Sequence, residues 1–63
     1  MPKSGKEIIK LLKQDGWRVR SQRRPHIKLF KGKIIAVVPV HGNKSLGKGL
    51  IKAIERQTGV KIL

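Results

Sequence analysis

The apolar positions near the start of the chain recur at the spacing of an α-helix. Four residues form this stripe: Ile8, Ile9, Leu11 and Leu12. Ser4 followed by Glu7 fits a capping box, in which each residue satisfies the other's backbone N–H, and Gly16 is a natural left-handed stop. The pattern predicts a first helix that begins after Ser4 and ends before Gly16.

Alternation of period two then replaces the helical spacing. Residues 17–20 alternate apolar and basic, which is typical of a half-buried strand, with Trp17 in the core. Residues 21–25 are predicted as a turn, and Pro25 fits just before the second strand rather than within it, because proline cannot donate to a strand ladder. In the next strand, alternation places Ile27 and Leu29 on the core face. The residues predicted on the opposite face are His26, Lys28 and Phe30.

A third strand and a second helix complete the pattern. Residues 31–32 are predicted as a hairpin turn, 33–38 as a β-branched strand ended by Pro39, and 40–44 as a loop. Asn43 or Ser45 is expected to cap the helix, and Gly59 to end it. Its predicted inner stripe is Leu46, Leu50, Ala53, Ile54 and Gln57. Residues 60–63 are expected to pack on the core or to add an edge strand.

The order helix, three antiparallel strands, helix predicts an α+β fold with both helices on one face of the sheet. A chain of 63 residues is expected to form one domain spanning 1–63. It contains no cysteine, and too few acids and histidines for a convincing metal site built by the protein alone. It has neither an apolar run long enough to span a membrane nor a signal-peptide pattern, so a cytoplasmic protein is expected.

The net charge is the compositional feature that bears most on function. Sixteen Lys and Arg against three Asp and Glu give a formal net charge of +13. An anionic partner would relieve the self-repulsion of such a chain, and nucleic acid is the favoured class. An anionic membrane surface is a weaker alternative, and a merely solvated basic surface is the third.

His26 is the candidate for acid–base chemistry, because histidine exchanges protons near neutral pH. RNA cleavage needs a base that removes the 2′-hydroxyl proton and an acid that protonates the leaving 5′-oxygen. Cations such as Arg24 and Lys28 could stabilise the charge on phosphorus. The alternative is a surface histidine that stacks on a base or bonds to the backbone. His41 could contact phosphate or transfer the second proton, or it could simply form hydrogen bonds with the backbone of its own loop.

Residues 42–49 nearly match a phosphate-binding P-loop. Gly49 stands where a Ser or Thr would hold magnesium, and the chain is too short for the usual nucleotide-binding sheet. We therefore expect no nucleotide cofactor. Glycines with Lys48 at a helix N-terminus still suit a backbone phosphate, although loop geometry alone also explains them. Phe30 could stack on a base or join a partner interface.

Several segments together resemble a known family. They are the Asp-Gly-Trp segment within 10–17, a histidine at the start of the second strand, Val-Pro-x-His at 38–41, and Gly-Val at 59–60. The chain resembles, over nearly its whole length, the HicA-type mRNA interferase toxins of toxin–antitoxin systems. The resemblance implies a fold like the double-stranded-RNA-binding domain, and an endoribonuclease that acts on mRNA without a cofactor.

The same resemblance implies site residues and a partner. It assigns the catalytic role to His26, although Arg24-Pro25 stands where the family has Gly-Ser. It also implies a HicB-type antitoxin that covers the active face, where Arg23, Arg24 and Lys28 are expected to bind phosphate and to be covered. The alternatives are a non-catalytic RNA-binding module of the same fold and a domain that only sequesters an acidic partner.

Overall fold

The computed structural model describes residues 3–62, which form two helices and three strands. The elements in chain order are α1 (Gly5–Gln14), β1 (Arg18–Arg23), β2 (His26–Lys31), β3 (Ile34–Pro39) and α2 (Lys48–Thr58). The strands form one antiparallel sheet in the order β1-β2-β3. The predicted α-β-β-β-α fold, like that of the double-stranded-RNA-binding domain, is confirmed.

The capping box that begins α1 is present. Ser4 N donates to Glu7 Oε1 at 3.0 Å, and Glu7 N donates to Ser4 Oγ at 3.3 Å. The helix ends at Gln14 with Asp15 as its C-cap, and Gly16 follows with a φ of 99°, which is the left-handed region. Both ends of α1 are therefore where the local signals predicted them.

Both helices cover the same face of the sheet, and the core lies between the two layers. Its largest fully buried side chains are Ile8, Leu12, Leu29, Ile51, Ile54 and Val38. Ile27 and Leu29 of β2 point into this core, as their alternation predicted. Trp17 is only 2% exposed, which confirms its predicted core position. Helix α1 begins close to the end of β3, since a Cβ added at Gly5 would overlap the carbonyl oxygen of Pro39.

The first hairpin turn is shorter than predicted. Residues 21–23 belong to β1 rather than to a turn, and only Arg24 and Pro25, joined by a cis peptide bond, connect β1 to β2. Arg23 pairs directly with His26. The register of β1 also shifts between Val19 and Ser21, which makes Arg20 a bulge residue. The strand was underpredicted because its second half is polar and lies at the sheet edge.

The second hairpin turn lies one residue later than predicted. Gly32 and Lys33 connect the strands, and Gly32 has a φ of 60°. Strand β3 extends through Pro39, which pairs with His26. Proline is tolerated there because β3 is an edge strand.

The predicted start of α2 was wrong. Neither Asn43 nor Ser45 caps the helix. The N-cap residue is Gly47, which has no side chain that could accept a hydrogen bond from the first turn. Ser45 instead forms an isolated bridge with Ser4, and the N–H of the buried Leu46 donates to Lys3 O at 2.9 Å. These contacts hold residues 45–46 extended, so the helix begins only after them.

The predicted inner stripe of α2 was correct only in part. Ile54 is buried as expected, but the second buried position is Ile51. Leu46 is buried in the segment before the helix. The remaining predicted positions are exposed: Leu50, Ala53 and Gln57.

The end of the chain packs on the core. Gly59 ends α2 with a φ of 75°, as predicted. Ile62 is buried, and its N–H donates to Glu55 Oε2 at 2.6 Å. Residues 60–62 form no strand, which decides between the two expectations for this segment. Leu63 lies outside the described residues.

Candidate functional site

The sheet face opposite the helices, here called the open face, carries the candidate site. Residues paired directly across an antiparallel ladder share a face, so the register defines three rows. They are Arg23–His26–Pro39, Ser21–Lys28–Val37 and Arg18–Phe30–Ile35, each written from β1 to β3. The predicted placement of His26, Lys28 and Phe30 on one face is therefore what the structure shows.

His26 is the first residue of β2 and is exposed. Arg23 lies directly opposite, which places their Cβ atoms about 5 Å apart. Lys28 follows two positions along the same strand, about 7 Å further on. The hairpin thus brings a histidine and two cations together on an accessible surface, where they can bind a phosphate and exchange a proton.

The open face is chemically divided. Its β1 side carries the guanidinium groups of Arg18 and Arg23, whereas its β3 side carries Ile35 and Val37. The half-buried Phe30 lies between them, in the central strand. The face therefore offers cations along one margin and apolar surface along the other.

None of the three acidic residues of the chain lies on the open face. Glu7 belongs to the capping box, and hydrogen bonds from the backbone and then the hydroxyl of Ser4 lower the pKa of its carboxyl. Asp15 pairs with Lys31 at 3.1 Å. Glu55 accepts from the tail of the chain. The cations of the open face consequently have no carboxylate beside them in their own rows.

Arg24 lies at the turn and lines a groove on the helix side of the sheet. This groove has a volume of about 200 Å³ and is lined by Lys6 and Lys13 of α1, among others. Val19 and Gln22 form its β1 wall. The predicted role of Arg24 at phosphate stays a prediction, and the structure associates this side chain with α1 rather than with the rows of the open face.

His41 lies in the exposed loop after β3, two residues beyond the strand partner of His26. The loop is tied to the first hairpin turn, because Val40 N donates to Pro25 O at 2.6 Å. His41 is thus at the same end of the sheet as His26. Lys48, the first residue of α2, belongs to the helix layer and so is not brought onto the open face. The phosphate-binding roles of both residues stay predictions.

Arg18, Lys6 and Lys13 were not among the predicted site residues. Arg18 shares the open face with Phe30, and the alternation in residues 17–20 already contained that signal. The two lysines could not be associated with the turn from sequence, because that contact depends on how α1 packs.

Two further findings describe residues 3–62. No group of three or more His, Asp or Glu residues in this range is arranged to hold a metal ion. No helix in the same range is long and apolar enough to cross a membrane.

The small α-β-β-β-α domain, with its exposed histidine beside cations, has the architecture of the double-stranded-RNA-binding domain. Comparison with protein families makes this specific: the family described as the HicA toxin of bacterial toxin–antitoxin systems matches residues 5–60. The chain belongs to the HicA toxin family. Neither the curated proteins nor the solved structures gave a significant match.

Proposed function

We propose that the chain is a metal-independent endoribonuclease toxin that cleaves mRNA, with His26 as its acid–base residue. The observation that supports this most directly is the row that sets His26 opposite Arg23, with Lys28 two positions along the strand. Membership of a toxin family supplies the biological class. The cytoplasm, where mRNA is found, is the proposed site of action.

The proposed chemistry is an internal transfer at phosphorus. Neutral His26 removes the proton of a ribose 2′-hydroxyl, and the 2′-oxygen attacks the adjacent phosphorus. The bond from phosphorus to the 5′-oxygen breaks, which leaves a cyclic phosphate and a 5′-hydroxyl. Arg23 and Lys28 stabilise the charge that develops on the phosphoryl oxygens. Either the imidazolium formed at His26 or a second group, for which His41 is the candidate, protonates the leaving oxygen.

The proposed protein partner is a HicB-type antitoxin. A net charge of +13 with three acids in the whole chain favours an acidic partner, because complementary charge accelerates encounter. We propose that this partner covers the surface around His26, Arg23 and Lys28. RNA and antitoxin would then compete for the same cations.

A second candidate function is a non-catalytic RNA-binding module of the same fold. The dipeptide Arg24-Pro25, which replaces Gly-Ser before His26, favours it. The large side chain of Arg24 lies where the family has glycine, and it lines the groove beside α1. In this alternative His26 is one more polar contact to RNA.

The deciding experiment incubates the purified chain with labelled mRNA in EDTA and compares it with His26→Ala. Gln57→Ala, which changes an exposed residue of the helix layer, is the control, and His41→Ala tests whether the second histidine supplies the other proton. We expect His26→Ala to lose at least about 100-fold in cleavage rate, the usual contribution of an acid–base group, while RNA binding is retained. Binding without cleavage by the unmodified chain would instead support the second candidate, and weak RNA binding at physiological salt would leave only sequestration of a protein.

A further inference from the structure

Strand β3 is an edge strand with no charged side chain. It contains only apolar residues from Ile34 to Pro39. Ile34 is 51% exposed and Ile35 is 42% exposed, so two large apolar side chains of this edge strand face solvent. Natural proteins normally protect such an edge with charge, a bulge or a covering element.

The backbone of this edge is also available. Lys31 and Ile34 flank the two-residue turn and therefore form a hydrogen-bonded pair. Alternation then leaves Ile35 and Val37 in positions where they do not bond to β2, so their N–H and C=O groups point away from the sheet. Within residues 3–62, no backbone hydrogen bond from a loop or another element reaches either residue.

The opposite edge of the sheet is protected. Strand β1 carries exposed arginines at positions 18, 20 and 23, and its ladder is interrupted by the bulge at Arg20. Both features discourage the pairing of a further strand. The two edges therefore differ, and only β3 offers a regular ladder beside apolar side chains.

We propose that β3 is a docking edge to which an acidic protein partner adds a β-strand. A polypeptide strand is favoured over RNA, because the free N–H and C=O groups lie at strand spacing between apolar side chains. A second copy of this chain is disfavoured, because it would bring another +13 charge. The identification of the partner as the antitoxin rests on the proposed function.

The geometry of an added strand links docking to the open face. Neighbouring strands lie about 4.8 Å apart, so the added strand would be about 10 Å from β2, which carries His26. Such a strand does not itself cover His26. Acidic residues in the partner segment that follows this strand would be within reach of Lys28 and Arg23. Strand β3 thus holds the partner, while the partner's next segment covers the surface around His26.

Hydrogen exchange on the unmodified chain tests the proposal without any substitution. The probe is a recombinant HicB-type antitoxin, at saturating concentration. We expect the Ile35 and Val37 amides to exchange at least about tenfold more slowly in the complex. The Gln22 amide on the opposite edge is the internal control and should change little.

Ile35→Lys supplies an independent test, because it places a charge on the docking edge at a residue that is already partly exposed. The matched control is Gln22→Lys, which adds the same charge to β1. We expect Ile35→Lys, measured by isothermal titration calorimetry, to weaken antitoxin binding by at least about tenfold, and Gln22→Lys to change it by less than about threefold.

The proposal is overturned if the Ile35 and Val37 amides exchange at the same rate in free and complexed protein. It is also overturned if an RNA oligonucleotide, or self-association of the chain alone, protects them instead. Cleavage of RNA by the free chain, without antitoxin, is assayed in parallel on the same batch of protein. Slowed exchange without RNA cleavage would refute the nuclease function but support the docking edge. Cleavage without slowed exchange would refute the docking edge but support the nuclease function.

Discussion

Removing Arg23 and Lys28 together should reduce the salt dependence of RNA binding by a predictable amount. Each phosphate contacted on a single strand contributes about 0.7 to the slope of log affinity against log salt. If each of these two cations contacts one phosphate, Arg23→Ala with Lys28→Ala should make the slope shallower by about 1.4. Between 50 and 200 mM salt that difference corresponds to roughly a sevenfold change in relative affinity.

The control for this experiment removes the same charge from another part of the molecule. Lys52→Ala with Arg56→Ala changes two exposed residues of α2, and both pairs lower the net charge from +13 to +11 (13 − 2 = 11). The assay is fluorescence anisotropy with a labelled single-stranded RNA, in a His26→Ala background that prevents cleavage. Equal slopes for the two pairs would refute a localised site, because total charge alone would then govern binding.

Two further predictions concern α1 and α2. Gly5→Ala should destabilise the protein in urea unfolding, because the new Cβ would overlap Pro39 O. Gly49→Ala is the control: its new Cβ meets no atom within 4 Å, so the change should stabilise the protein by about 0.5–1 kcal/mol. Equal effects of the two substitutions on the free energy of unfolding would contradict the packing described for Gly5. Because the pKa of Glu7 is lowered from 4.5 by its hydrogen bonds to Ser4, its contribution to stability is present above about pH 4.5 and is lost as the pH falls below it. Glu7→Gln should therefore flatten the acid limb of stability against pH, measured by circular dichroism, and an unchanged limb would contradict this.

Sequence predicted the fold wherever the deciding interactions are local. The capping box of α1 involves two residues three positions apart, so it could be predicted directly. The start of α2 could not, although Asn43 and Ser45 are good capping residues. Packing of Leu46 in the core and its bond to Lys3 override that local preference.

The residues of the candidate site also divide into those that local pattern could place and those that depend on tertiary packing. Alternation in β2 was enough to place His26 and Lys28 on one face, because a regular strand preserves its period. Arg24 lies in the turn, where the period no longer applies, and its association with α1 depends on tertiary packing. The apolar free edge of β3 was not foreseen either, since sequence does not show which strand is outermost.

The bulge at Arg20 determines which side of the sheet Arg23 occupies. In an uninterrupted strand Val19, Ser21 and Arg23 would all project to the same side, and with Val19 against Leu29 the arginine would be directed into the hydrophobic layer. The extra residue changes the phase of β1 halfway along: Val19 faces the helices, while Ser21 and Arg23 face away from them. One irregular residue thus allows a strand of six to contribute both to packing and to a cationic surface beside His26.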